Sequence, residues 1–448
     1  MKTRGRARPT DLPTLVWPGK PEVDVDATAP SALEPIEIVG GPRGDGLLAL
    51  GDNAASLRAL AATHAGKVDL AYLDPPFATG AEFLFSTRGN DADHVAYSDG
   101  HVGGAYLSAL LVRLRLVRAL LADTGSVFVH CDWHASHWIR CLLDEVFGAD
   151  AFKNEIVWRY RRWPAKTRVF QRMHDVIFWY GKRADDAHAW SPQFEALAAS
   201  TVATWGTKKQ VADFSSGRRK PSQTDEETRG APMSDVWEIG IVAPIAKERV
   251  GYPTQKPLAL LERIVEAASK PGDLVLDPFM GSGTTLVAAH ARGRRFMGCD
   301  ASPLAVHTAK KRLLAAGARG FSIARCSSAG RVIEDGALDG PRVEATAERD
   351  LFGVVRAVDL RAEGAPVTGS VRVRGRLRDA AWTDALDYWA VGAADAAAPF
   401  ESLWHAFRAT PTSDLAVRAE IDPEAARSGP LVVQLVDALG RERRVRVA

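Results

Sequence analysis

The chain has 448 residues, 46% hydrophobic and 25% charged, with a formal net charge of +2. It is too long for one ordinary domain, and a charge so near zero excludes a global field, so any nucleic-acid affinity has to come from a local basic patch. Four cysteines cannot build a disulfide scaffold, and no apolar run reaches the roughly 18 residues of a membrane span, so a cytoplasmic location is expected. The N-terminal MKTRGRARPTDLP is basic without a following apolar stretch and reads as a solvated arm, not a secretory signal.

Residues 1–45 form that arm, with one strand at Ile36–Val39. Leu47–Leu50 is a short apolar strand ending in Gly51-Asp52, and 53–65 reads as a helix. Val68–Leu73 is a strand halted by Asp74-Pro75-Pro76, since proline has no N–H to give a ladder. Leu107, Leu110, Leu111, Leu114 and Val117 recur at helical spacing and predict a helix from Tyr106 to Ala122. A strand at Ser126–Val129, a helix over 132–147 and strands at Asn154–Tyr160 and Asp175–Tyr180 follow. Periodicity fades over 184–250, which reads as an insert. Alternation resumes with a helix at Leu258–Ser269, a strand at Leu274–Leu276, a helix at Thr284–Ala291, a strand at Arg295–Gly298 and a helix at Pro303–Ala316. From 319 onward short β-like runs such as Ser370–Val373 and Leu431–Leu435 predict a separate β-rich domain. Strands separated by helices indicate a mostly parallel, doubly wound α/β sheet covered on both faces.

Two segments carry chemistry. In Leu274-Val275-Leu276-Asp277-Pro278-Phe279-Met280-Gly281-Ser282-Gly283-Thr284-Thr285 an apolar strand enters a glycine-rich turn that opens directly into a helix. Glycines let the backbone approach a ligand, and the helix start favours a carboxylate or phosphate. Asp300 ends the next strand 23 positions after Asp277, where a carboxylate can accept both ribose hydroxyl hydrogens. The second segment is Asp74-Pro75-Pro76-Phe77. A rigid loop offering a carboxylate, a proline carbonyl and an aromatic face suits an amino group on a planar base, with catalysis by positioning and electrostatics.

Together these motifs resemble those of the amino-DNA methyltransferases, the adenine-N6 and cytosine-N4 families. The catalytic motif precedes the cofactor motif with an insert between them, as in the β class and the type III modification subunits. The resemblance implies a Rossmann-like sheet that binds S-adenosylmethionine, with Asp74, Pro75, Pro76 and Phe77 catalytic. It implies cofactor contacts from Asp277, Phe279, Gly281, Ser282, Gly283, Thr284 and Asp300, from Thr254, Gln255 and Lys256 at the methionine end, and from Asp52 near the adenine. His130-Cys131-Asp132-Trp133 and Asn154-Glu155-Ile156-Val157-Trp158 resemble segments lining the target pocket. The chain departs from the family in carrying Phe77 where Tyr is usual, which keeps the stacking face and loses a hydroxyl. Asp rather than Ser at position 74 favours adenine over cytosine.

The implied partition is an arm (1–45), a catalytic half (46–183), a target-recognition insert (184–250), a cofactor half (251–318) and a β-rich accessory domain (319–448). The implied partner is duplex DNA, within a restriction-modification system. A homodimer and a restriction subunit are the further candidate partners. Arg159, Arg161, Arg162, Lys166 and Arg168 interleave with Trp158, Tyr160, Trp163, Phe170, Trp179 and Tyr180, while Lys208, Lys209, Arg218 and Arg219 punctuate the insert. Cations among aromatics suit phosphate contacts and stacking on an extruded base. His134, His137 and Cys141 share a helical face but lack the paired spacing of zinc ligands, so no metal is expected. The rival readings are RNA or protein N-methylation, and a DNA-binding subunit without catalysis.

Overall fold

The computed structural model describes residues 14–22, 31–40, 44, 46–77, 82–86, 93–98, 103–164, 166–213, 220–328, 342–349, 355–363, 370–373, 376–379, 386–393, 399–408, 414–422, 430–438 and 440–447. The first half runs β1 (Ser31–Val39), β2 (Leu47–Leu50), α1 (Asn53–His64), β3 (Val68–Leu73), β4 (Glu82–Ser86), β5 (Asp93–Ser98), α2 (Gly103–Leu120), β6 (Leu121–Cys131), α3 (Ser136–Phe147), β7 (Phe152–Arg159) and β8 (His174–Gly181). Short elements fill the next stretch: β9 (Phe194–Glu195), α4 (Ala199–Trp205), β10 (Lys208–Asp213), β11 (Lys220–Glu227), β12 (Ala231–Pro232) and β13 (Val236–Glu238). Regular alternation returns with α5 (Leu258–Ala268), β14 (Leu274–Asp277), α6 (Thr284–Ala291), β15 (Arg295–Asp300), α7 (Pro303–Ala315) and β16 (Phe321–Ser328).

The centre of the main sheet is parallel, in the order β6-β3-β14-β15-β2-β16, and β8 and β7 extend it by antiparallel pairing past β6. Side chains alternate between faces along each strand. Leu48, Leu70, Tyr72, Phe128 and Val275 meet α5, α6 and α7, whereas Ala49, Ala71, Leu73, Val127 and Leu276 meet α1, α2 and α3. Such two-sided burial is what near-continuous apolar strands require. On α2 the expected stripe is buried, each leucine contributing about 1.5–3 kcal/mol. The helix stops at Leu120, short of the expected Ala122, because the N–H groups of Gly66 and Lys67 take the carbonyls of Ala119 and Leu120 at 3.1 and 2.9 Å. The chain then passes straight into β6, whose Leu121 pairs with Val68.

Two regions differ from the sequence expectation in their connection to this sheet. Part of the arm is docked, with Trp17 Nε1 donating to Ser108 Oγ at 2.9 Å and Lys20 ion-paired to Glu145 at 2.6 Å. The strand expected at Ile36–Val39 spans Ser31–Val39 and lies antiparallel to β16. The sheet also continues past residue 318. β16 pairs with β2, and beyond β1 come strands Phe400–Phe407, Tyr388–Ala393, Leu431–Val436 and Glu442–Arg446. A second sheet of Arg342–Arg349, Val355–Glu363 and Arg418–Glu420 shares a core with them through Val358, Leu360, Trp389, Val391, Val433 and Leu435. Among the described residues, two strand-register pairs, Glu37 with Phe400 and Ile38 with Glu401, join this part to β1. Buried polar groups complete the junction: Lys310 Nζ meets Glu37 at 2.6 Å, and Gln434 Nε2 donates to Glu37 Oε2 at 3.1 Å. No described helix is long and apolar enough to cross a membrane.

Candidate active site

The chain leaves β3 toward β6 on one side and leaves β14 toward β15 on the other, so these adjacent strands bound a topological switch point. Ligands in open α/β sheets bind at the carboxyl ends of strands flanking such a point. Asp74 follows the end of β3, Asp277 ends β14, and Asp300 ends β15. The fold thus brings together two loops some 200 residues apart in sequence, for the elementary reason that parallel neighbours end on the same edge.

Asp74 is mostly buried, and its two oxygens have different surroundings. Oδ2 is ion-paired with Lys256 Nζ, whose ammonium also lies 5.3 Å from the centre of the Phe77 ring. Oδ1 is buried with no hydrogen-bond partner, and His130 Nδ1 lies 3.6 Å from it. An acceptor left bare in a buried site is a position for an incoming donor. The Phe77 and His130 rings, 5.6 Å apart, stand on one side, and Trp158 meets His130 edge-on at 5.4 Å.

The glycine-rich turn is shaped by what surrounds it. Gly281 has φ +47°, and a Cβ there would lie 3.3 Å from the Tyr252 ring. Gly283 has φ +75°, and its Cβ would meet Ala309 Cβ at 2.6 Å, so only glycine lets α6 start this close to α7. Asp300 Oδ2 accepts the Gly281 N–H at 2.9 Å and Oδ1 accepts that of Ser302 at 2.9 Å. Burial pushes the Asp300 carboxyl up to about 6 despite these bonds, and pushes Asp277 up to about 7 despite bonds from Thr285 and the Phe279 N–H. Each Asp300 oxygen keeps a second lone pair, so the residue has the capacity to receive a diol. These groups fit a ligand that is cationic and rich in hydroxyl donors.

Other expected site residues serve the architecture of the turn. Arg312 NH1 donates to Ser282 O at 2.8 Å, Ser282 Oγ at 3.0 Å and Thr284 Oγ1 at 2.7 Å, so both hydroxyls face α7. Gln255 ties its own loop by donating to Glu248 O at 2.7 Å and accepting from the Val250 N–H at 3.0 Å. Thr254 sits at φ +56°, a left-handed conformation that a β-branched residue adopts only under constraint from its surroundings. Asp52 caps α1 through the Ala55 N–H at 3.0 Å and pairs with Arg113 at 3.0 Å, while Asn53 reaches across to Pro278 O at 2.9 Å. Phe279 is half-buried beside this loop. Nothing in the sequence marked Arg312 or Arg113, because their partners lie on other elements.

The basic-aromatic segment divides. Trp158, Tyr160, Trp179 and Tyr180 are core residues, whereas Trp163 and Phe170 are 92% and 99% exposed, among the exposed Arg161, Arg162, Lys166 and Arg168. This loop joins β7 to β8 at the same sheet edge as Asp74. Asp175, an acid within this basic-aromatic segment, is buried against His130. Arg159 pairs with Glu238, and Lys208 and Lys209 pair with Glu227 and Glu226 across one hairpin. Arg218 and Arg219 lie outside the described residues. Among the described residues no three His, Cys, Asp or Glu side chains are gathered as metal ligands; His134 is bonded to Asp132 at 2.6 Å.

Sheet, switch point and the two loops define a doubly wound α/β methyltransferase. Residues 68–311 match the family model described as DNA methylase, and the chain belongs to that family. The Type II methyltransferase M.EcaI of Enterobacter cloacae is 33% identical over 315 residues, covering 58% of this chain and 68% of the relative. The DNA adenine methyltransferase YhdJ of Escherichia coli K12 is 29% identical over 251 residues, covering 56% and 76%. The crystal structure of the M1.HpyAVI–SAM complex is 22% identical, with a TM-score of 0.37 over 60% of this chain and 98% of that one. The chain is accordingly an amino-methyltransferase of DNA that uses S-adenosylmethionine.

Proposed function

We propose that the protein methylates the N6 amine of adenine at specific sites in duplex DNA. The bare, buried Asp74 Oδ1 beside the Phe77 ring carries this reading. Asp74 Oδ1 and the Pro75 carbonyl accept the two amine hydrogens, which turns the nitrogen lone pair out of the base plane. Phe77 stacks on the flipped ring, and Pro76 keeps the loop from relaxing. When bound, S-adenosylmethionine supplies a methyl group activated by its sulfonium. Asp300 would receive its ribose hydroxyls, the Gly281–Gly283 turn would let the backbone approach, and Asp52, Asp277, Phe279 and the Thr254–Lys256 segment would frame the rest. Asp at position 74 and the 29% identity to YhdJ, an adenine enzyme by name, favour adenine over cytosine-N4.

The test is transfer of labelled methyl to mixed-sequence duplex DNA, wild type beside Asp74→Ala, with digestion to nucleosides. Label in N6-methyladenine that vanishes in the variant is the expected result. Label in N4-methylcytosine overturns the base, and undiminished turnover by Asp74→Ala overturns the mechanism.

A further inference from the structure

Behind Asp74 lies a chain of buried groups that cofactor and base need not touch. His130 is fully buried on β6. Its Nδ1 lies 2.9 Å from the Tyr72 hydroxyl and 3.6 Å from Asp74 Oδ1, and its Nε2 lies 3.2 Å from Asp175 Oδ2. Tyr160 donates its hydroxyl to Asp175 Oδ1 at 2.9 Å. Four adjacent strands supply these residues, all from the face that meets α5 to α7.

The hydrogens can be assigned. Burial alone would raise Asp175, but hydrogen bonds and charge from His130, with Lys256 and Tyr160, hold it below the usual carboxylate range. Asp175 is therefore the acceptor, and Nε2 carries the imidazole hydrogen. Burial, and the charges of Asp74, Asp277 and Asp175, push the Tyr72 phenol far up, so it keeps its hydrogen and donates to Nδ1. With its hydrogen on Nε2, the imidazole turns its other nitrogen toward the bare oxygen of Asp74. Around it the carboxylates Asp74, Asp175 and Asp277 gather, opposed by Lys256, with Arg162 reaching the Tyr160 hydroxyl at 3.2 Å.

Resting on the amino-methyltransferase reading, we propose that His130, backed by Asp175, is the positioning residue that takes the reaction's proton from Asp74. As the N–C bond forms from the nitrogen lone pair, the donor's carbon–sulfur bond breaks with its electrons staying on sulfur. The nitrogen then carries one proton too many. That proton passes to Asp74 Oδ1 and on to His130 Nδ1, whose N–H then lies between Asp74 Oδ1 and the Tyr72 oxygen. The imidazolium is then flanked by Asp74 and Asp175, whose negative charges stabilise it. The converse is inhibition: an imidazole protonated beforehand points its Nδ1–H at Asp74 Oδ1, the oxygen the amine needs.

Single-turnover methyl transfer to duplex DNA is measured against pH for wild type, His130→Gln and Asp175→Asn. At saturating cofactor the wild-type rate rises with pH through an ionisation that requires His130. In His130→Gln that ionisation disappears and the plateau falls about 10- to 100-fold, with cofactor affinity held within about twofold. In Asp175→Asn the rising limb moves to lower pH, because the anion that stabilises the imidazolium is gone. Nitrogen-15 NMR of histidine-labelled wild type gives an independent readout, the Nε2–H tautomer of His130. A His130→Gln profile with the wild-type limb and rate overturns the proposal, as does an Nδ1–H tautomer in the wild type. Should His130→Gln fail to fold, the tautomer and the Asp175→Asn profile still decide. A wild type that labels no DNA at any pH overturns the functional reading itself, a result distinct from any difference among variants.

Discussion

Lys256 Nζ is ion-paired with Asp74 Oδ2 although 182 residues separate them in sequence. The contact joins the two halves of the site, since Lys256 also accepts at its carbonyl from Thr284 Oγ1 at 3.3 Å, next to the glycine-rich turn. By engaging one oxygen, the lysine fixes which carboxylate oxygen is left for substrate.

Asp74→Ala is expected to lower single-turnover transfer about a hundred- to a thousandfold with cofactor binding retained, because the lost interaction is made with the amine. Lys256→Gln leaves the carboxylate present but free to rotate, so a loss of about tenfold in rate is expected, with a smaller change in cofactor affinity. Calorimetry beside quench-flow separates the two. A Lys256→Gln variant that loses affinity but not rate would place the lysine on the cofactor instead.

Cofactor affinity is expected to depend on pH through Asp300. Its folded carboxyl is raised to about 6, so in the free protein it holds a proton below that pH. A ligand bringing hydroxyl donors and positive charge favours the ionised form, and protons therefore compete with it. Affinity should fall about tenfold between about pH 8 and about pH 5, and Asp300→Asn should flatten the dependence. The sign for stability follows: a folded carboxyl above its unfolded value binds more protons than the unfolded chain. With Asp277 raised to about 7 as well, the free protein loses stability as pH rises from about 4 to about 7. Equilibrium dialysis and thermal melts across that range check both.

Trp163 and Phe170 stand exposed among Arg161, Arg162, Lys166 and Arg168 on the loop joining β7 to β8. Changing either aromatic to Ala should weaken DNA binding about tenfold at every salt concentration, the size of one stacking interaction. Changing Arg161 and Arg162 to Gln should instead reduce the slope of log affinity against log salt by about one for each phosphate no longer neutralised. If neither pair alters affinity in fluorescence anisotropy, this loop does not touch DNA.

Lys310→Met strands the Glu37 carboxylate at the buried junction between α7 and the C-terminal strands. Removing one partner of a buried pair typically costs about 3–5 kcal/mol, so chemical denaturation should show that loss. Adding Glu37→Gln, which keeps a hydrogen-bonding group for Gln434, should recover most of it. Full stability in Lys310→Met alone would mean that water reaches the site.

The sequence by itself determined the parallel sheet, the order of its helices and both motif loops. Apolar strands, Asp-Pro-Pro at one exit and Gly-Ser-Gly at another are local signals, read from consecutive residues. Tertiary structure decided which of those residues face a ligand and which face the protein. Ser282 and Thr284 turn to Arg312, and Gln255 turns to its own loop, because a buried hydroxyl or amide has to find a partner and the nearest lay within the protein. The pairing of Asp175 with His130 left no local sign, because the two lie 45 residues apart on antiparallel neighbours. That the main sheet continues past residue 318 was hidden for a similar reason: β16 is bound to β2 by backbone pairing across the sheet, and pairing between distant strands leaves no periodic mark in either one.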